Sequence, residues 1–242
     1  MSVVAIIQAR MGSTRLPGKV LEPIAGRPIV MWTVAATRAI PGVDHVVVAT
    51  TTEPRDDALV ELMRREGVDV HRGPTQDVLT RVWEAAAPFG PDHVVRATAD
   101  NPLMDPEVVG GQLRQCTEAD LDYVGTAGWP LGIAAEVARA GALEEAYREA
   151  RDPAEREHVM PFLYARPERY RIGSAPPAGR VPAARFTVDT AEDIAFVRAI
   201  ADRLQPGCIG TIDRLRAILD AEPGLVEINQ NVRQKGWREV QG

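Results

Sequence analysis

The chain of 242 residues has little cysteine, few aromatic residues and no long hydrophobic run, and these shortages exclude several classes of protein. Its two cysteines, Cys116 and Cys208, lie far apart and form no CxxC spacing. That argues against a disulfide framework or a zinc site and fits a reducing compartment. No apolar run approaches the roughly 18 residues of a membrane span, and the start, MSVVAIIQAR, lacks the basic leader of an export signal. We therefore expect a soluble, cytoplasmic protein with no membrane partner.

Lysine is scarce too, since Lys19 and Lys235 are the only two, and the charge is unevenly distributed. The net charge is −6, but residues 1–40 carry +4 and the remainder −10. A chain this acidic is a poor match for nucleic acid, so we expect no nucleic-acid partner. A local basic cluster instead favours a small anionic ligand.

The first 120 residues alternate short apolar, β-branched runs with helical patterns, which predicts an α/β fold with a mostly parallel central sheet and helices on both faces. The predicted strands of this part are 3–9, 45–50, 68–71 and 93–98, and the predicted helices are 28–40, 56–66, 75–87 and 106–117. The length and the balance of 45% hydrophobic and 26% charged residues fit one globular domain over residues 1–242.

Beyond residue 120 the alternation is lost, and we interpret residues 120–180 as an inserted region that supplies the second half of a pocket. The predicted strands of this half are 121–124, 133–137 and 185–188, and the predicted helices are 140–150, 154–165, 191–204, 211–221 and 225–232. Open α/β sheets bind ligands beyond the carboxyl ends of their strands. The loops that follow the strands are therefore the places to look for a site.

The loop after the first strand, residues 8–19, reads QARMGSTRLPGK. Gly12 and Gly18 let main-chain N–H groups approach a ligand closely, and several such groups turned to one side bind an anion. Three basic side chains would add charge-assisted hydrogen bonds to phosphate oxygens: Arg10, Arg15 and Lys19. A basic surface loop is the alternative interpretation. The loop is not a Walker A motif, because Val20 follows the lysine, and it is not a GxGxxG fingerprint.

Two aspartates follow predicted strands, Asp100 after strand 93–98 and Asp189 after strand 185–188. Carboxylates at two strand ends can converge on one cation, and Mg²⁺ prefers one or two carboxylates together with substrate phosphates and waters. Structural alternatives stay open, because Asp189 can cap the next helix with Glu192 in an Asp-x-x-Glu box, and Asp100 can begin an ordinary turn. If the carboxylates do meet, they repel each other without metal, so Asn at either position should leave metal-free stability unchanged or raised.

Together these motifs resemble those of the cytidylyltransferases that make CMP-activated sugars, the CMP-Kdo and CMP-sialic acid synthetases, and most closely the spore-coat polysaccharide biosynthesis protein F family. QARMGSTRLPGKVL resembles the family's N-terminal signature, ADNPLM its G-D-x-P-L-[IV] motif and VDTAED its [VI]-D-T-P-E-D motif. The departures are Ala99, Met104 and Ala191, none of which removes a carboxylate. The resemblance covers nearly the whole chain and implies a Rossmann-like nucleotidyltransferase fold, CTP as substrate, Mg²⁺ as cofactor and a homodimer.

The resemblance also implies a reaction and the residues that perform it. CMP would pass from CTP to a sugar or sugar acid with release of pyrophosphate, Asp100 and Asp189 would hold Mg²⁺, and Arg15 and Lys19 would act on the β and γ phosphates. The predicted nucleotide-binding residues lie in the first loop and on the strand before Asp100: Ala9, Arg10, Met11, Gly12, Ser13, Arg15, Lys19, Arg96 and Thr98. As an exposed loop residue, Lys19 is expected to contribute little to stability.

Two clusters between the aspartates resemble the family's substrate-side motifs. WPLGIAAEV, residues 129–137, is similar to an aromatic-P-x-G-L-D-V-E-V stretch, and REHV, residues 156–159, is similar to an R-E-H-V motif. Four side chains are the candidate acceptor-binding residues: Glu136, Arg156, Glu157 and His158. The second cluster also fits the solvated first turn of a helix. Ala134 stands where the family has an aspartate, which leaves the acceptor open.

Two other functions fit parts of the sequence. One is a glycosyltransferase that binds a nucleotide sugar through a D-x-D pair, for which Asp120 and Asp122 are candidates, although they open a predicted strand where that class places the pair at a strand's end. The other is a non-catalytic nucleotide-binding protein on the same scaffold. The intact basic loop and aspartate pair favour the cytidylyltransferase interpretation. The stretch 227–236 resembles the family's terminal stretch and suggests no role.

Overall fold

The computed structural model describes residues 1–205 and 207–234. Its strands are β1 (Val3–Gln8), β2 (Pro23–Ile24), β3 (Arg27–Pro28), β4 (His45–Thr51), β5 (Asp69–Gly73), β6 (His93–Thr98), β7 (Tyr123–Gly125), β8 (Glu136–Arg139) and β9 (Ile172–Ser174). Its α-helices are α1 (Ile29–Arg38), α2 (Asp57–Arg65), α3 (Val78–Ala86), α4 (Pro106–Glu118), α5 (Ala140–Glu149), α6 (Pro153–His158), α7 (Pro161–Tyr164), α8 (Ala191–Ala201) and α9 (Ile212–Ala221). Short 3-10 helices span Lys19–Leu21, Pro54–Asp56, Ala87–Phe89 and Pro223–Ile228.

The central sheet has seven described strands in the order β5-β4-β1-β6-β8-β7-β9, and β2 and β3 form a separate ribbon. β1 lies in the middle and pairs in parallel with β4 and β6, while β8 is antiparallel to both of its neighbours. Every residue of Val3–Ile7 is fully buried, as expected of a strand covered on both faces. The predicted α/β class with a mostly parallel sheet is confirmed.

Helices cover both faces of the sheet, and each face has its own apolar cluster. Side chains of α1, α2 and α4 pack against one face, with Val34, Met63 and Leu113 among them. Side chains of α3, α5 and α7 pack against the other, including Leu79 and Leu143. A third cluster joins α8 and α9 to the extended residues before α8. This last cluster anchors the chain that leads into Asp189.

Residues 120–180 extend the sheet with β7, β8 and β9, and α5 and α7 pack in one of its cores. They therefore belong to the same sheet and core as the first 120 residues. The predicted single helix 154–165 is wrong, because α6 ends at His158, Val159 after it has a left-handed φ of 74°, and α7 begins only at Pro161. This break turns the end of α6 toward the carboxyl edge of the sheet.

Two further predictions need correction. Residues 185–188 are extended but belong to no sheet, because their partners are loops: Phe186 N donates to Leu131 O and Val188 N to Asp100 O. The predicted helix 225–232 is instead the 3-10 helix Pro223–Ile228 followed by a turn. Lys235 and Gly236, which end the stretch noted above, lie outside the described residues. In the described ranges, no helix combines the length and the apolar character needed to cross a membrane.

Candidate active site

The loop after β1 is folded around the main chain of Met11. Met11 O accepts hydrogen bonds from Ser13 N at 3.0 Å and Gly18 N at 2.9 Å, which closes the loop on itself. Gly18 adopts a left-handed φ of 77°, which glycine reaches without steric cost, and the 3-10 helix Lys19–Leu21 follows directly. This turn directs the Lys19 side chain back under the loop.

The Lys19 ammonium lies between the two aspartates that the sequence singled out. Lys19 Nζ is 2.7 Å from Asp100 Oδ2 and 2.9 Å from Asp189 Oδ1, and it also donates to Val188 O at 2.6 Å. Asp100 and Asp189 therefore meet, as predicted. Lys19 is only 7% exposed, so the prediction of an exposed loop lysine is wrong. The reason is Gly18, which turns the chain inward.

The charges of this cluster compensate one another. Burial tends to lower the pKa of Lys19, but the attraction of Asp100 and Asp189 is stronger, and the pKa is raised above 10.5. Burial tends to raise the pKa of Asp189, but Lys19, Arg15 and Arg185 together hold it below 3.8. The expected repulsion between two uncompensated carboxylates is thus wrong for this state, because cations already neutralise them.

Asp189 does not cap the helix that follows it. The N-cap of α8 is Thr190, whose side chain accepts from Asp193 N while the Asp193 carboxylate accepts from Thr190 N. The box predicted with Asp189 and Glu192 is therefore displaced by one residue. This leaves the Asp189 carboxylate to bind side chains: Oδ1 accepts from Lys19, and Oδ2 lies 3.0 Å from Arg15 Nη2 and 2.8 Å from Arg185 Nη2.

A cavity of about 810 Å³ opens at the carboxyl ends of β1, β4 and β6, above this cluster. Most of the predicted site residues line it: Ala9, Arg10, Gly12, Ser13, Arg15, Lys19, Thr98, Asp100, Glu157, His158 and Asp189. Basic side chains from the loop thus share one cavity with the aspartate pair and with the end of α6. Such a cavity can hold an anionic ligand and a divalent cation together.

Comparisons with known proteins agree with this geometry. The family model for cytidylyltransferases matches residues 4–207. The spore coat polysaccharide biosynthesis protein SpsF of Bacillus subtilis is 35% identical over 205 residues, which cover 82% of this chain and 85% of that protein. The chain belongs to the cytidylyltransferase family. The resemblance that the motifs indicated is confirmed, and the chain is a nucleotidyltransferase.

Solved structures show the same architecture for this cytidylyltransferase. A cytidylyltransferase from Leptospira borgpetersenii superposes with a TM-score of 0.87 at 27% identity, covering 98% of this chain and 100% of that one. A CMP:2-keto-3-deoxy-manno-octonic acid synthetase complexed with CTP superposes with a TM-score of 0.67 at 19% identity, covering 84% of this chain and all of its own. The second likeness shows the fold alone. The Rossmann-like nucleotidyltransferase fold that the resemblance implied is confirmed.

Four predicted site residues of the cytidylyltransferase do not line the cavity. Glu136 faces Arg96 across the β6–β8 ladder, and their side chains form an ion pair of 2.5 Å. Arg96 also donates to Gln8 Oε1 at 2.7 Å, so it supports a cavity residue from behind. Strand register thus pairs the two side chains with each other, and the assignment of Arg96 to the nucleotide and of Glu136 to the acceptor stays a prediction.

Arg156 and Met11 are the other two. The Arg156 guanidinium binds Asp77, the N-cap of α3, and donates to Tyr147 O at 2.8 Å, so in this structure it fastens α6 to the core. Met11 contributes its main chain to the loop, as described above. Within REHV only Glu157 and His158 reach the cavity, at the end of α6, so the motif is not a solvated first turn.

Sequence reasoning missed the side of the cavity formed by the residues after β4. Asp56 is fully buried, and its Oδ1 accepts from Met11 N at 2.8 Å while Oδ2 accepts from the main chain and hydroxyl of Thr51. It therefore ties the end of β4 to the loop after β1. Arg55 lines the cavity and lies so close to Gly12 that a Cβ there would be 3.1 Å from its Nη1. The signal was the polar run TTEPRDD directly after a strand.

The aspartate pair fits a magnesium ion by its donor chemistry. Two carboxylate oxygens already converge on one cationic nitrogen, so the position accommodates a cation. Asp100 lines the cavity, and no described residue donates a hydrogen bond to its Oδ1. Carboxylates, phosphates and water are the ligands that Mg²⁺ prefers. Within the described ranges no group of three or more His, Cys, Asp or Glu side chains offers an alternative site.

The D-x-D pair does not form a comparable site. Asp120 forms ion pairs with Arg139 and Arg171, and its Oδ2 lies 2.6 Å from Arg171 Nη2. Asp122 forms ion pairs with the same two arginines. Neither aspartate lines the cavity. The pair joins the start of β7 to its neighbours, which is a structural role.

Proposed function

We propose that this cytidylyltransferase transfers CMP from CTP to a hydroxyl of a sugar or sugar acid, with release of pyrophosphate and with Mg²⁺ as cofactor. The observation that carries the proposal is the convergence of Asp100, Asp189 and Lys19 beneath the basic loop. It places two carboxylates, which would hold a metal ion, and basic groups, which would bind phosphates, in one cavity of a size suited to a nucleotide and a second substrate. A cytoplasmic homodimer remains our expectation.

The reaction needs positioning and charge neutralisation more than covalent participation by the protein. The acceptor hydroxyl oxygen attacks the α-phosphate, a new P–O bond forms as the hydroxyl proton is released to water, and the bond to the pyrophosphate oxygen breaks. Arg15 and Lys19, with the amides of the loop, would hold the β and γ phosphates and stabilise the departing charge. Arg10 and Ser13, which line the same cavity, would orient the nucleotide.

Asp100 and Asp189 would hold the metal ion, and Mg²⁺ bound there would polarise the α-phosphate and help align the acceptor oxygen. Arg15 and Lys19 contact Asp189 in the structure, so a triphosphate must compete with that carboxylate for both cations. Glu157 and His158 lie on the wall that α6 supplies, where they can accept or donate hydrogen bonds to acceptor hydroxyls. The names of the relatives, which refer to CTP and to polysaccharide synthesis, support this choice of substrates.

Pyrophosphate release from CTP tests the proposal, measured with Mg²⁺ and a panel of sugar acids and sugar phosphates. We expect release with at least one acceptor, and we expect Asp100→Asn to lower the rate about 100-fold or more, since a preorganised charge at the reacting phosphate is lost. Asp122→Asn is the matched control and should keep the wild-type rate. A glycosyltransferase would behave in the opposite way, with no release from CTP, transfer from a nucleotide sugar, and sensitivity at Asp122.

A further inference from the structure

The C-terminal segment, residues 223–234, lies past the region that the family model matches, yet it reaches the active site. It packs against α8 and α9, and Leu225 is buried in the third apolar cluster. Its one buried polar side chain is Asn229, which is 3% exposed. A buried amide needs hydrogen-bond partners, and those partners show what the segment holds in place.

Asn229 connects the two pieces of chain on either side of Asp189. Its Nδ2 donates to Arg185 O at 3.0 Å and to Asp193 Oδ1 at 3.0 Å. Arg185 begins the extended residues that precede Asp189, and Asp193 lies in the first turn of α8. The Asn229 side-chain amide thus binds a residue before Asp189 and a residue after it.

The fully buried Asp193 carboxylate connects Asn229 to Asp189, because it accepts hydrogen bonds from both. Its Oδ2 accepts from Asp189 N at 2.9 Å, and the same carboxylate receives Arg185 through Nε at 2.8 Å and Nη2 at 3.1 Å. Arg185 Nη2 in turn donates to Asp189 Oδ2 at 2.8 Å. The main chain of Asp189 is therefore held by the carboxylate that Asn229 contacts directly, and its carboxylate is held by the side chain of Arg185, whose main-chain carbonyl Asn229 contacts.

The need for these contacts follows from the fold. The main chain of residues 185–188 makes no ladder with a strand of the sheet, so sheet hydrogen bonds do not fix the position of Asp189. Gln234, farther along the C-terminal segment, lines the catalytic cavity and accepts from Arg185 Nη1 at 2.6 Å. Two residues of this segment therefore converge on the arginine that binds Asp189.

We propose that Asn229 is a positioning residue of the active site, which holds Asp189 through Asp193 and Arg185 in the orientation that binds Mg²⁺. The inference rests on the proposed function. Groups that orient the ligands of a metal typically change metal affinity 10–100-fold when they are removed. A positioning role predicts that substitution of Asn229 weakens CTP binding only when Mg²⁺ is present. A purely structural role predicts weaker CTP binding both with and without Mg²⁺.

The experiment measures the dissociation constant of CTP by titration calorimetry, without acceptor, in the presence and absence of saturating Mg²⁺. Mg²⁺ should lower the dissociation constant of CTP for the wild-type protein, and we expect Asn229→Ala to make this Mg²⁺-dependent gain in affinity about 10-fold or more smaller. The affinity for CTP without Mg²⁺ should stay within about twofold of the wild-type value. Asn229→Asp should do the same, because it removes both donors and places a second charge beside Asp193. Asn231, an exposed residue of the same segment, supplies the matched controls Asn231→Ala and Asn231→Asp, which should bind like the wild type.

A double-mutant cycle with Asp189→Asn decides whether Asn229 acts through that aspartate. In the Asp189→Asn background, Asn229→Ala should cause no further loss of Mg²⁺-dependent affinity. An equal loss in both backgrounds, an equal loss with and without Mg²⁺, or no loss at all would overturn the inference. Asn229→Ser, which keeps one donor, serves if the alanine variant does not fold. If Mg²⁺ does not tighten CTP binding to the wild-type protein, the proposed function is contradicted together with the inference. If Asp189→Asn weakens Mg²⁺-dependent CTP binding but Asn229→Ala does not, only the positioning role of Asn229 is contradicted.

Discussion

At the scale of single residues, Lys19 determines the electrostatics of the site. Its ammonium forms hydrogen bonds with two carboxylates and a carbonyl while the side chain is almost fully buried. A buried cation between two anions is a balanced arrangement that becomes costly when one member is removed. In the state described here, Lys19 therefore stabilises the fold as well as the place where a metal and a triphosphate would bind.

We predict that Lys19→Met lowers the free energy of unfolding by about 2–4 kcal/mol in the absence of ligands. This is somewhat less than for a fully buried pair, because Asp100 keeps 25% of its side chain exposed. Chemical denaturation measures the difference. Arg65→Met removes a cationic side chain that is 70% exposed and should change stability by no more than about 0.5 kcal/mol. If the two variants proved equally stable, Lys19 would contribute no more than a surface lysine.

At the scale of elements, the residues that carry Asp189 depend on a loop for their support. Phe186 N donates to Leu131 O at 2.7 Å, and the neighbouring Gly132 has a left-handed φ of 94°. A Cβ at Gly132 would lie 2.6 Å from the carbonyl carbon of Phe186 and 2.7 Å from Thr187 N. The loop and the extended residues can approach this closely only because position 132 is glycine.

Gly132→Ala should therefore destabilise the protein by about 2–4 kcal/mol, through backbone strain and overlap with main-chain atoms that cannot move aside. Pyrophosphate release should fall with it, because Asp189 lies three residues after Phe186. Gly141→Ala is the matched control, since that glycine lies in α5 with no atom within 4 Å of the added Cβ, and alanine favours the helix by up to about 1 kcal/mol. Thermal unfolding of both variants checks the prediction, which fails if Gly132→Ala melts at the wild-type temperature.

At the scale of the whole molecule, the parallel strands gather their loops at one edge of the sheet. The loops after β1, β4 and β6 meet there, and α6 and the C-terminal segment close the same cavity from other parts of the chain. Because ligand contacts would come from all of these regions, bound nucleotide should stabilise the folded chain as a unit. The free energy gained depends on the ligand concentration relative to its Kd.

We expect CTP with Mg²⁺ to raise the melting temperature by about 5–10 °C at 100 times its Kd, since the stabilisation there is about 2.7 kcal/mol and the chain is of moderate size. ATP, GTP and UTP at the same concentration should give smaller shifts. A thermal-shift panel of the four nucleotides measures this directly. A larger shift with another nucleotide would reassign the base, and equal shifts with all four would mean that the site recognises only the triphosphate.

The sequence by itself determined the fold class, most elements of the first 120 residues and the region of the site. Strand and helix periodicity are local properties, so β6 and α4 could be located to within a residue. The first loop and Asp100 follow β1 and β6, and parallel topology brings the ends of such strands together whatever the details of packing. Asp189 was predicted to join them as a third strand end, but the structure brings it there through hydrogen bonds between residues 185–188 and loops.

Only the tertiary structure decided which polar groups face the cavity and which face one another. Lys19 meets partners 81 and 170 residues away, and Asn229 reaches Arg185 across 44 residues. Arg96 pairs with Glu136 because of strand register, whereas the sequence alone is equally compatible with both side chains facing the cavity. Burial, register and the approach of distant chain segments set the partner of each charged group, and no local pattern in the sequence encodes them.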